Sequence, residues 1–235
     1  MTKTTAAANW NGEYRNGGIP SSVRDEASTT VAWALSNWFY LTGHTGPSVA
    51  VDVGCGTGRN AVYLASQGAR VMAFDFSAEA VSRARGRLTA VPQAQIQVTE
   101  HNLADGLPVA DGSADLVCDI FVYKHQMDTS LRKQYRYDVN RALARGGKFL
   151  LALAEIRDGY YASCPRYPDI DTLDPLAVVD PKVGAGSVLF TLESLRAEMS
   201  DVFELAMSWL KIKSGEMHGA TYMRYTLATI WEARA

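Results

Sequence analysis

The chain has 235 residues, 47% of them hydrophobic, which suffices for one sizeable core and makes a single α/β domain the default expectation. A formal net charge of −2 gives no basic footprint for nucleic acid or an acidic membrane surface, so neither is expected as a partner. No stretch approaches the roughly 20 consecutive apolar residues of a membrane span.

In chain order, Met1 to Ala8 has no apolar run long enough for a secretory signal and reads as a frayed tail. Ser21 or Ser22 can cap a helix reaching about Leu41, with Asp25 and Glu26 in its first turns, where the helix dipole favours acids. Val49–Val53 is a first strand, Gly58 to Gln67 a helix stopped by Gly68, and Arg70–Phe74 a second strand. Ser77 caps a helix to about Leu88, and Ile96–Thr99 is a short third strand. Leu116–Val122, apolar except for Asp119, fits a central parallel strand. A helix from about Ser130 to Ala144 ends at Gly146-Gly147, and Lys148–Ala154 is the fifth strand. Residues 155–187, with Tyr160, Tyr161 and Tyr167, form a long irregular stretch of the kind that serves as a lid. Phe203–Lys213 and Tyr222–Ala233 are strand-like runs whose short 214–221 connection makes them an antiparallel pair. The alternation predicts a doubly wound, mostly parallel, seven-stranded Rossmann-like α/β sheet ending in an antiparallel C-terminal hairpin.

The most informative stretch is Val51-Asp52-Val53-Gly54-Cys55-Gly56-Thr57-Gly58, a buried strand running into a glycine turn. Asp75, at the tip of the next strand, can accept hydrogen bonds from a ribose diol, so the two features describe a pocket for a nucleoside-bearing cofactor. A dinucleotide site wants a third glycine where this chain has Arg59, and no Gly-Lys-Ser/Thr follows for a P-loop.

With Asp52 before it and Asp75 after it, the glycine run resembles motif I of class I S-adenosylmethionine-dependent methyltransferases. The resemblance covers about residues 45–155 well and the ends loosely. It implies S-adenosylmethionine as cofactor and S-adenosylhomocysteine as product. Gly54, Cys55, Gly56, Gly58 and Asn60 would lie along the methionine half, with Asp52 facing its amino group. Asp75 would take the ribose, and Phe76, Asn102 (or His101) and Leu103 the adenine. Asp119 and Ile120 would stand at the level of the sulfonium. Trp10 to Arg15 resembles the Trp-x-x-x-Tyr stretch of the tellurite-resistance and thiopurine-methyltransferase kind, so Trp10, Tyr14 and Arg15 would close over the cofactor. The N-terminal residues 1–20 are thus a tail and capping segment, and 21–235 the methyltransferase domain, with 155–187 a substrate lid.

The methyl acceptor is expected above the C-terminal strand ends. The segment after the fourth strand is Tyr123-Lys124-His125: His125 is the leading base or acceptor-orienting group, Lys124 suits an anionic acceptor, and Tyr123 walls the pocket. Tyr160 and Tyr161 of the lid, and His218, Tyr222 and Arg224 of the hairpin, form a second set. Asp169-x-Asp171-x-x-Asp174 lacks EF-hand spacing, and no metal is expected. Cys55, Cys118 and Cys164 have no metal-ligand spacing either and read as thiols of a reducing cytoplasm. The reading is a cytoplasmic monomer or homodimer that methylates a small molecule. A catalytically silent cofactor-binding regulatory module and a nicotinamide-dependent oxidoreductase are the rivals.

Overall fold

The computed structural model describes residues 3–17, 19–20, 24–88, 95–167 and 177–234. Helix α1 (Lys3–Asn16) leads into α2 (Thr29–Ser36) and the short α3 (Trp38–Thr42). The alternating part follows: β1 (Val49–Val53), α4 (Arg59–Ser66), β2 (Arg70–Asp75), α5 (Ala78–Arg87), β3 (Ile96–Glu100), β4 (Ala114–Ile120), α6 (Thr129–Ala142) and β5 (Leu143–Ala154). A small hairpin, β6 (Ala177–Asp180) and β7 (Ala185–Val188), precedes α7 (Leu192–Met199), and β8 (Phe203–Met217) with β9 (Ala220–Ala233) completes the order.

Seven strands form one sheet in the order β3-β2-β1-β4-β5-β9-β8. The first five are mutually parallel, whereas β9 runs antiparallel to both β5 and β8. Side chains alternate across the sheet, so neighbouring residues feed opposite cores. Val51, Val53, Val117 and Phe149 pack with Tyr135 and Val139 of α6 and Leu195 of α7. Ala50, Leu116 and Leu150 pack with Val31 of α2, Leu64 of α4 and Val81 of α5. Burial on both faces is why the central strands read as nearly continuous apolar runs. A third cluster joins Trp10, Tyr160, Tyr161, Val178 and Met217. The switch point, where the chain leaves β1 for β2 on one side and later returns to β4 on the other, opens a crevice at the C-terminal strand ends.

Several expectations are corrected. Residues 3–16 are helical rather than frayed, because tertiary contacts hold α1: Asn11 Oδ1 accepts from Ser77 Oγ at 2.6 Å and from the Glu79 amide at 3.3 Å. The next helix starts at Thr29, capped by Ser28, and not at Ser21 or Ser22, which lie outside the described residues. It breaks at Asn37, whose side chain competes for the Trp33 carbonyl (2.8 Å). Asp128 caps α6, two residues earlier than Ser130 would.

Gly146 and Gly147 lie within β5 at a register shift, and do not end α6. A Cβ on Gly147 would meet the Ala114 and Ala144 carbonyls at 2.9 Å, so this irregular pairing needs a glycine. The final strands run through the supposed 214–221 loop and turn only at His218-Gly219, both at positive φ (47° and 79°), as a two-residue hairpin turn requires. The 155–187 stretch contains β6, β7 and a 3-10 turn at Tyr161–Ser163, while Asp169, Asp171 and Asp174 lie outside the described residues. Helix α7 went unforeseen although a capping box marks its start: Thr191 and Ser194 exchange side-chain-to-backbone hydrogen bonds.

Candidate active site

The crevice encloses a cavity of about 1110 Å3. Its floor is the β1–α4 turn, where Gly54 and Gly56 hold φ of 59° and 55°, a conformation that costs other residues roughly 1–3 kcal/mol. A Cβ on Gly54 would overlap the Val122 side chain, and one on Gly56 would sit 2.9 Å from the Tyr14 hydroxyl. Asp75 lines the cavity and is fixed by two backbone amides, Gly56 to Oδ2 and Ser77 to Oδ1, both at 2.9 Å. Burial raises its pKa to about 6 against the pull of those amides. Each carboxylate oxygen keeps a second acceptor direction, which suits a ribose diol. Cys55, Asn60, Phe76, Asn102, Leu103 and Ile120 also line the cavity. Asn60 Oδ1 takes the Ser28 amide (2.9 Å), and Asn102 Oδ1 the Ala104 amide (3.0 Å), leaving each amide nitrogen for other partners. His101 lines the wall too, its Nε2 2.7 Å from the Gly106 carbonyl.

Helix α1 roofs this half. Trp10 and Tyr14 line the cavity, and the Trp10 ring meets His125 edge-on at 5.2 Å between centroids. Arg15, expected on the cofactor, is exposed and outside the lining, because the last turn of α1 carries it to the opposite face.

Three other expected cofactor residues are absent from the cavity wall. Gly58 caps α4 at φ 81°, and a Cβ there would meet the Ala84 methyl at 3.1 Å, so this glycine serves the approach of α4 to α5. Asp52 is buried beneath the turn, its pKa raised to about 7 by burial, with the Arg59 charge and the Ala61 amide opposing. Its Oδ2 has no hydrogen-bond partner among the described residues. Asp119 is buried and spent on the scaffold: Oδ1 accepts the Val122 and Tyr123 amides (2.9 and 3.1 Å), and Oδ2 the Tyr135 hydroxyl (2.9 Å). That loop holds Phe121 at φ 73°, a strained conformation for an aromatic residue, at the rim of the cavity.

The far wall is built from the β4–α6 loop, β7 and the last hairpin. His125 Nδ1 is 2.6 Å from the Gly186 carbonyl, which can only accept; Nδ1 therefore carries the proton, and in the neutral ring Nε2 is an acceptor with no hydrogen bond among the described residues. Burial, then the neighbouring Lys124 charge, holds His125 well below the usual histidine range. Lys124 is 0% exposed, donates to Ser187 Oγ at 3.0 Å, and lies 3.6 Å above the Tyr161 ring. Burial lowers its pKa to about 7. Tyr161 and Arg224 line this half as expected, with Arg224 Nε bonded to Asp158 at 2.8 Å.

The remaining expected acceptor residues do not reach the cavity. Tyr123 turns into the core and donates to Glu198 at 2.5 Å. Tyr160 donates to Asp180 at 2.7 Å, and Tyr222 packs on the Tyr160 ring. His218 has Nε2 3.4 Å from Asp180 Oδ2 and stacks near Tyr160, outside the lining. Conversely, Arg24, Lys211, Lys213 and Met217 line the cavity without having been anticipated. For β8 the signal was present as a period of two, Lys211-x-Lys213-x-Gly215-x-Met217.

A parallel sheet closed by an antiparallel pair, a left-handed glycine turn and an acid ending β2 define the class I, S-adenosylmethionine-binding methyltransferase fold. Residues 50–147 match the family described as a methyltransferase domain, in line with the resemblance of the glycine turn to class I S-adenosylmethionine-dependent methyltransferases. An uncharacterised methyltransferase of Synechocystis sp. is 38% identical over 101 residues, 43% of this chain and 44% of that protein, so the similarity spans less than half of each. A structure from Pyrococcus horikoshii OT3 shares the fold at TM-score 0.67 and 16% identity, covering 92% of this chain and 96% of that one. So does a 1,6-didemethyltoxoflavin-N1-methyltransferase of Burkholderia thailandensis, crystallised with 1,6-didemethyltoxoflavin and S-adenosylhomocysteine (TM-score 0.66, 17% identity, 96% and 88% covered).

The cavity suits this cofactor. Its volume slightly exceeds the usual range for one small ligand and accommodates donor and acceptor together. The turn that would cradle the methionine half tolerates no Cβ at Gly54 or Gly56. Among the described residues no helix is long and apolar enough to cross a membrane.

Proposed function

We propose that this protein transfers the methyl group of S-adenosylmethionine to a small-molecule acceptor seated between the glycine turn and the far wall. The observation that carries the reading is His125, which lines the cavity with Nδ1 anchored on the Gly186 carbonyl and with no hydrogen bond to Nε2 among the described residues. When bound, the cofactor supplies an already activated methyl on a sulfonium. The protein's task is then to align the acceptor for in-line displacement, an effect worth roughly 7–11 kcal/mol.

In this reading Asp75, Phe76, Asn102 and Leu103 hold the adenosine, while Trp10 and Tyr14 exclude water from above. Gly54, Cys55 and Gly56 accommodate the methionine half. His125 Nε2 accepts the acceptor's proton or a hydrogen bond from it. Lys124 and Tyr161 orient the acceptor, and the β6–β7 hairpin within 155–187 acts as its lid. The enclosed and partly aromatic wall supports a small acceptor over nucleic acid. The Burkholderia enzyme of the same fold is crystallised with 1,6-didemethyltoxoflavin, which fits the same picture.

A labelled-methyl screen against pooled metabolites tests the proposal, with calorimetry of S-adenosylhomocysteine binding alongside. Tight binding with transfer into at least one pool is the expected result. Tight binding without transfer to any pool would favour a regulatory module.

A further inference from the structure

The whole chain is slightly acidic, yet the cavity wall is not: Arg24, Arg59, Lys124, Lys211, Lys213 and Arg224 face four carboxylates, Glu26, Asp75, Asp128 and Glu216. The arrangement is more pointed than the count. On the last hairpin Lys213 is directly opposite Arg224, and Lys211 opposite Thr226, all on the row that faces the cavity. Like charges directly opposite on a strand pair are destabilising. The alternate row of the same strand carries Leu210 and Ile212, both exposed. Lys211 is half-buried and Lys213 exposed, so this basic row stands where the cavity opens to solvent.

The cations are short of acidic partners: Lys211 donates to the Thr29 hydroxyl and Arg59 to the Glu26 carbonyl. Arg224 has Asp158, but no ion pair reaches Lys213 among the described residues, and the charges acting on it come from Arg24, Arg224 and Arg59. Partial burial, then those charges, lowers the lysine's pKa; Lys211 is lowered in the same way, by burial and by Lys213, Arg24 and Arg59. Deeper in the cavity, fully buried Lys124 touches a hydroxyl and an aromatic ring; the charges of Asp158 and Asp180 reach it, but those acids are already bonded to Arg224 and Tyr160, and no ion pair to Lys124 forms among the described residues. A buried ammonium whose nearby carboxylates are shared with other groups is costly and gains from a further anion.

The cofactor cannot balance this charge. Its carboxylate is accompanied by an ammonium and a sulfonium, so loading it adds a net positive charge to an already positive cavity. The compensating charge has to arrive with the second substrate.

Taking the methyl-transfer reading as its basis, we infer that the acceptor carries an anionic group, a carboxylate or a phosphate, which docks on the Lys211–Lys213–Arg224 face opposite Arg24. Its nucleophilic end then points inward to Lys124 and His125. The strand pair tolerates its facing cations because the bound anion bridges them.

The test uses the full chain. A metabolite extract is separated at neutral pH by anion exchange into retained and unretained pools before reaction. Each pool is offered with methyl-labelled S-adenosylmethionine. Transfer into the retained pool is the expected result. With that pool, Lys213→Glu, and separately Lys211→Gln, raise KM about tenfold or more while kcat stays within about threefold and S-adenosylhomocysteine binding within about twofold. Phosphatase treatment of the retained pool separates the two anions: loss of transfer assigns a phosphate, persistence a carboxylate. Transfer confined to the unretained pool overturns the inference and leaves methyl transfer standing. So does a variant that weakens S-adenosylhomocysteine as much as the acceptor, since the array would then serve the cofactor. Undiminished cofactor binding with no transfer from either pool sinks the small-molecule reading itself, and this inference with it.

Discussion

The two halves of the cavity are built on different principles. The half beside β1 and β2 is held by backbone: two left-handed glycines and a carboxylate pinned by two amides. The half beside β4, β7 and the last hairpin is held by side chains drawn from distant parts of the chain, such as Lys124 on Ser187 and Arg224 on Asp158. A backbone-built pocket has few sequence solutions and recognises one ligand, whereas a wall of side chains can be rewritten residue by residue. The contrast matches a constant methyl donor facing an acceptor that differs between proteins of one fold.

Three substitutions sharpen that contrast. Asp75→Ala has the largest expected effect, because it removes the ribose acceptor and frees the Gly56 and Ser77 amides together. Hydrogen bonds to a charged acceptor are worth roughly 1.5–3 kcal/mol, so S-adenosylhomocysteine affinity should fall about 100-fold by calorimetry. A tenfold loss or less would mean the carboxylate serves the turn alone. His125→Gln belongs to the other half. Turnover with the acceptor found by screening should drop about 100-fold with cofactor affinity almost unchanged, and unaltered turnover would remove His125 from the chemistry.

Lys124→Met is read through stability. The buried lysine has its pKa lowered from 10.5 to about 7, so between those values the unfolded chain binds more protons than the folded one. Wild-type stability therefore gains a contribution as pH rises through this window. Methionine, which has no charge to desolvate, should be more stable than lysine below about pH 7, by up to about 5 kcal/mol. The advantage should shrink steadily towards pH 10. Denaturant midpoints at several pH values measure it, and a difference independent of pH would show that Lys124 is charged and compensated throughout.

The same division explains what could be read from the sequence. The half beside β1 and β2 occupies a contiguous stretch in which geometry dictates residue type, so Gly54, Gly56 and Asp75 were legible as residues of the cavity wall. Strand alternation with helices made the sheet legible too, down to its antiparallel end. Within that stretch the misreadings are of direction. Gly58 and Asp119 have the right residue type and position but face a helix and a loop. The acceptor half was legible only in part, because aromatic and basic residues near a strand tip can face either way. Tyr123 and Tyr161 look alike in sequence, yet one enters the core and the other carries a lysine on its ring. The His218 turn needed the full extent of β8 and β9, which a loop drawn at 214–221 hid; Lys211 and Lys213 fell inside the predicted strand, but alternation alone does not say which row faces inward. Helix α1 was missed because its anchor, Asn11 on the cap of α5, lies 66 residues away in sequence.

One contact gives the molecule an optical reporter. Of the five tryptophans only Trp10 lines the cavity, where its indole meets the edge of an imidazole. Ligand entering beneath that indole should shift its emission. Titrating S-adenosylhomocysteine while exciting the native fluorophore would follow occupancy without a dye, and Trp10→Phe should abolish the signal while leaving the other four emitters as an internal standard.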